Sequence, residues 1–240
     1  DSQRTSIKSF DNEAARDGEE GKLVAPAEAG MNRFAWDMRY PGAVKVPGDK
    51  STEGAVTGPL APPGACQVTI EVDGRTQTQS FEILKDPRVE TTQEDLEAQF
   101  DLQVKIRDRL SETHESVNKI RGIRRQVDEW VRRVEEHSSG EVISASADAL
   151  KEKLLSIESE LIQVDYTGVR DINNLPTKLD LRLAELFDVV GYADFAPPKQ
   201  TYEVFEEFGA RLEPQLDLLQ EIVDKDVPEF ENLVHELEIP

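Results

Sequence analysis

Cysteine is all but missing from this chain. Cys66 stands alone among 240 residues, so no disulfide closes within it. That suits a reducing compartment, or an exported protein held by its core alone. No run of 18 apolar residues occurs, so no membrane-spanning helix and no membrane insertion are expected. Histidine is nearly as scarce. His114, His137 and His235 are the only three, with no HExxH or other close pairing to hold a metal, and each reads as a structural or surface group. GxSxG, the phosphate-binding P-loop and GxGxxG are also missing, so no nucleophile elbow and no nucleotide cofactor is indicated. Residue 1 is Asp rather than Met, with no apolar leader behind it, and a piece of a longer polypeptide is the expectation.

Acid is what the chain has in excess. Asp and Glu number 49 against 28 Lys and Arg, a net charge of −21. Such a field repels nucleic-acid phosphates and anionic lipid, so no nucleic-acid partner is expected. The excess, with Arg outnumbering Lys, suits either a high-salt milieu or plain solubility. With carboxylates spread everywhere, no catalytic pair stands out. Asp17-Gly18-Glu19-Glu20-Gly21 lacks the alternating spacing of a calcium loop and reads as a solvated turn.

The chain changes character near Lys85-Asp86-Pro87-Arg88. Before it, Gly, Pro and Thr abound and apolar residues alternate. Phe34, Trp36 and Met38 fall on one face at period two, as do Cys66, Val68, Ile70 and Val72. Asp73-Gly74 supplies a type I′ turn, and a return strand follows from Arg75 to Leu84 with Phe81 and Ile83 on one face. Phe34, Trp36, Val68, Ile70 and Val72 are expected in a core, with Trp36 packed on the hairpin and Cys66 buried and inert. Trp36 and Trp130 could instead form a sugar-stacking platform, but alternation with Phe34 places Trp36 in the core. Residues 42–57 read as a long exposed loop without pattern.

After Thr91 the period becomes helical. Thr91-Thr92-Gln93-Glu94 reads as a capping box, and Leu96, Phe100, Ile106, Leu110, Val117, Ile120, Val127, Val131 and Val134 make one stripe. The four expected helices are approximately 92–137, 145–164, 176–192 and 199–237, forming an antiparallel bundle over 89–240. Pro214 and Pro228 should kink or interrupt the last. The first, roughly 65–70 Å long, looks too long for its neighbours to cover, and an exposed part of its stripe is expected to seek a partner. Arg121, Arg124, Arg125, Arg132 and Arg133 cluster on it; they could meet a polyanion, but pairing with the acidic fourth helix or facing water is the plainer expectation.

Residues Asn32 to Gly42 (NRFAWDMRYPG), Gly58 to Gly64 (GPLAPPG) and Gln67 to Gly74 (QVTIEVDG) resemble the immunoglobulin-like sandwich of flagellar hook-capping proteins. More closely, they resemble the region after the β-propeller in large bacterial proteins with sortilin-like, sialidase-type (BNR) repeats, often named glycosyl hydrolases. Asp101 to Arg121 and Tyr202 to Val227 are similar to the helical tail of that family. The resemblance implies an α+β multidomain chain, with an Ig-like β-sandwich over 1–88 followed by the bundle. The residues before Ser6 are too few for the strand that normally precedes them, so an incomplete sandwich is expected. It further implies a secreted, periplasmic or cell-surface setting, the chain's own upstream propeller as partner, and any hydrolytic site within that propeller. The function expected of this chain is therefore a non-catalytic accessory and interaction region, possessing no catalytic residue, metal or cofactor and able to pair as a homodimer. A contribution of carboxylates to a glycoside hydrolase and a carbohydrate- or polymer-binding module are the alternatives.

Overall fold

The computed structural model describes residues 6–12, 24–49, 52, 57–134 and 140–236. Strand β1 is Gly64–Val72 and β2 is Arg75–Ile83, paired antiparallel in a two-stranded sheet. Val72 pairs with Arg75, so Asp73 and Gly74 alone make the turn. Their φ angles, 50° and 74°, are the two left-handed residues that a type I′ turn requires.

The expected Ig-like sandwich is not what the chain forms. Among the described residues the sheet has two strands and the rest of the regular structure is helical. Phe34–Met38 is not a strand. Met38 takes a left-handed φ of 58°, which breaks extension, and one isolated bridge, Arg39 to Leu60, is all that follows. The supposed apolar face divides accordingly. Phe34 stacks on Phe10 at 4.6 Å, while half-buried Trp36 meets Phe81 edge-on at 6.4 Å and donates its indole N–H to the Arg39 carbonyl. Next to that bridge Gly58 lies so close to the Tyr40 carbonyl that a Cβ would stand 1.8 Å from its oxygen, so no other residue fits there.

Helix α1 is Gln93–Arg133, 41 residues and about 60 Å long. Its cap is Thr92 rather than Thr91: the Thr92 hydroxyl accepts from the Asp95 N–H, and the Asp95 carboxylate accepts from the Thr92 N–H. Thr91 is freed to donate to the Asp194 carbonyl. Helices α2 (Gly140–Leu161), α3 (Leu179–Val190), α4 (Lys199–Glu221) and α5 (Val227–Glu236) follow, with a short 3-10 turn at Val169–Asn173. Pro214 is carried inside α4. Pro228, which offers no N–H and crowds the carbonyl four residues back, is preceded by a π-helical turn at Ile222–Asp226 that widens the backbone there. The last helix is thus one rod in three parts.

Helix α1 packs on α2, α3 and α4. Ile106, Leu110, Val117 and Ile120 are completely buried, as are Leu154 on α2 and Leu212 on α4. Leu96, Val127 and Val134 are buried too, and only Phe100 and Val131 of the stripe are part-exposed. The expectation of an uncovered stripe therefore fails. Part of the cover is a segment that the sequence presented as patternless loop. Residues 41–49 run along α1 as a strap. Arg107 donates to the Pro41 carbonyl, the Val44 N–H donates to the Ser111 hydroxyl, Asn118 donates to the Lys45 carbonyl and Arg121 to that of Pro47. Val46 fills the core beneath. Farther toward the start of α1, Gln99 donates to the Val190 and Ala193 carbonyls at 2.7 Å, and Gln103 donates to that of Phe187. These bonds tie α1 to the C-terminal end of α3 and to the turn that follows it, where the run of intrahelical acceptors is ending.

Candidate interaction surface

The hairpin stands out from the bundle. Its two faces are chemically unlike. Gly64, Cys66, Val68, Ile70 and Val72 share one face with Arg75, Gln77, Gln79, Phe81 and Ile83, and the other carries Gln67, Thr69, Glu71, Thr76, Thr78, Ser80 and Glu82. No carboxylate lies on the first face, although Asp and Glu make up 49 of the 240 residues. Yet this face is open: Val68, Ile70 and Val72 are 45%, 60% and 61% exposed, and Phe81 is 38% exposed. The core expected at Phe34, Val68, Ile70 and Val72 is therefore not there. A sandwich would need a second sheet to bury this face, and two strands alone are marginally stable in water. Asp73 and Gly74 form the tip.

Only the root of the hairpin is anchored. Cys66 is buried and lines a cleft of about 500 Å³ with Tyr40, Pro62, Ile83 and Gln93. Burial, aided by the nearby Cys66, holds the Tyr40 hydroxyl above its ordinary pKa. Labelling of native Cys66 by a thiol reagent is expected to be much slower than in denaturant, and equal rates would place the residue on the open part of the face.

The arginine cluster does not act as a unit. Arg121 and Arg124 each donate at 2.7 Å to the carboxylate of Glu158, which is 2% exposed on α2. Arg125, Arg132 and Arg133 face solvent, with Arg133 lying over the Trp130 ring at 4.9 Å. Pairing with an acidic group is thus real, but its partner is α2 rather than the last helix. Among the described residues no three His, Cys, Asp or Glu side chains converge to hold a metal ion. A groove of about 520 Å³ between α2 and α5 is spanned by the Lys153–Asp226 ion pair over Phe230 and Leu233. His235 is exposed on α5. His137 and Asp17–Gly21 lie outside the described residues.

His114 is the histidine with a distinct setting. Its Nδ1 bonds the Val44 carbonyl of the strap, and its Nε2 is buried without a hydrogen-bond partner. Burial lowers its pKa, opposed by the Val44 bond and by Asp49. The sign follows. The folded state disfavours the charged ring, so its contribution is fully present above the unfolded pKa of about 6.5 and is lost as pH falls below that value. Thermal unfolding should therefore shift downward on acidification below about pH 6.5, and His114→Gln should flatten that slope. A slope unchanged by the substitution would remove His114 as its origin.

Among the described residues no helix is long and apolar enough to cross a membrane. Comparison with protein-family models, with curated proteins and with solved structures finds no match to this chain.

Proposed function

We propose that this chain is a non-catalytic accessory and interaction region of a larger, exported β-propeller protein, in which the helical bundle is the scaffold and the hairpin is the docking element. The observation that supports this reading is the open hairpin face: Val68, Ile70, Val72 and Phe81 are presented to solvent, free of carboxylates, on a chain of net charge −21. Large exposed apolar patches on soluble domains mark interaction sites. The resemblance of the NRFAWDMRYPG and GPLAPPG segments to the region after such propellers supplies the wider context.

A hydrolytic role is less well supported, since the buried Glu158 carboxylate is tied to Arg121 and Arg124, and Glu213 and Asp226 are each held in an ion pair. A sugar platform is also less well supported, because Trp36 is half-buried with its indole N–H engaged. The test uses a peptide probe, an extended segment of alternating valine and threonine. Strand addition to an open edge takes this form of ligand. Chemical-shift changes are expected to map to residues 66–83 and to spare α2 and α5. Shifts confined to the bundle, or none at millimolar peptide, would overturn the docking role.

A further inference from the structure

We propose that the open edge of β1 pairs antiparallel, about a two-fold axis, with the β1 edge of a second copy of this chain. The inference deepens the docking reading and rests on it. Strand β1 is nine residues long and, among the described residues, is bonded along its length to β2 only. It carries none of the usual guards of an edge: no proline, no lysine and one charged residue, Glu71. The two-residue turn makes Val72 and Arg75 a bonded pair, so alternation leaves Gln67, Thr69 and Glu71 with outward backbone N–H and C=O groups.

The pattern of that edge reads the same in both directions. With Thr69 on the axis, Thr69 faces Thr69 of the second copy, Val68 faces Ile70, Gln67 faces Glu71 and Cys66 faces Val72. Outward groups then meet outward groups, apolar residues meet apolar residues, and no two carboxylates stand opposed. A self-complementary patch of this kind is what a two-fold dimer demands. Pairing would give four strands in the order β2, β1, β1, β2, with both sets of Val68, Ile70, Val72 and Phe81 on one continuous face, which passes the strand number at which sheets become independently stable. The opposing force is the charge of −21 on each copy. It acts over a Debye length of about 10 Å at 0.1 M salt and about 3 Å at 1 M, so the dimer should strengthen as salt rises.

The experiment places Thr69→Cys in a Cys66→Ala background, so that one thiol remains. Directly opposed bonded residues lie about 5.5 Å apart at Cα, within disulfide range. A disulfide-linked dimer is expected under mild oxidation, forming at least about tenfold faster at 1 M than at 0.1 M salt. Thr78→Cys in the same background is the control. In the paired sheet its two copies are separated by three strand spacings of about 4.8 Å, and no cross-link is expected. Thr69→Pro, which removes the outward N–H, should keep the helical circular dichroism of the wild type and lose the dimer in sedimentation. Equal cross-linking at Thr69→Cys and Thr78→Cys, or a wild type that stays monomeric at every salt concentration, would overturn the second copy as partner. In the monomeric case the peptide probe still decides the docking role by itself.

Discussion

Arg121→Ala together with Arg124→Ala is expected to destabilise the chain by about 3 kcal/mol or more, because it leaves the Glu158 carboxylate buried without a counter-charge. Glu158 is 2% exposed, and the two guanidinium groups are its anchors at 2.7 Å. The arginines are themselves about one-third exposed, so water screens part of the attraction and the effect belongs at the lower end of the range for broken buried pairs. Glu158→Leu should cost less than the double substitution, since both arginines can turn to solvent and the carboxylate's desolvation is removed with it. Urea unfolding followed by circular dichroism compares the two. A double variant no less stable than Glu158→Leu would show that the ion pairs merely decorate the α1–α2 contact.

Leu154→Ala is the second large loss, expected at about 2–5 kcal/mol. Leu154 has no exposed surface and sits on α2 within the common core of the bundle. Truncating it removes its contacts and leaves a cavity that neighbours on α1 and α4 cannot fully close. Val72→Ala, by contrast, should lie within about 0.5 kcal/mol, because that side chain is mostly in water. The pair tests where the core lies. In the sandwich expected from the resemblance, Val72 would be a core residue and its truncation would be costly.

Much of the local structure was legible from residue order. Asp73-Gly74 between alternating runs specified the hairpin, and the steps of three, four and seven from Leu96 to Val134 specified α1. Both signals are local: a turn needs two residues with positive φ, and a helix repeats within one stripe. What covers a face is not local. The alternation of Val68, Ile70 and Val72 records a strand with two unlike sides, and it is the same whether a second sheet, another chain or water lies against it. The strap shows the converse. Ala43-Val44-Lys45-Val46-Pro47 has no long periodicity, yet Val46 enters the core because Ser111, His114, Asn118 and Arg121 satisfy the backbone around it. Those four lie on α1 at steps of three and four, and that polar stripe beside the apolar one was the signal available for it. The cap moved from Thr91 to Thr92 because Asp at the third helical position serves as well as Glu. The arginine cluster was visible as a cluster, but its buried partner Glu158 lies 34 and 37 residues away and nothing in the sequence marks it among so many acids.

Hydrogen exchange on the dilute chain at low salt, where charge keeps copies apart, tests the central division between scaffold and docking element most directly. Amides of α1 from Leu102 to Ile120 are expected to exchange only through global unfolding. Those of Gln67–Glu71 and Thr76–Ser80 should exchange orders of magnitude faster, since the hairpin has neither a covered face nor a third strand. Hairpin amides protected to the level of α1 in the monomer would contradict this, and would place the sheet inside the cooperative core.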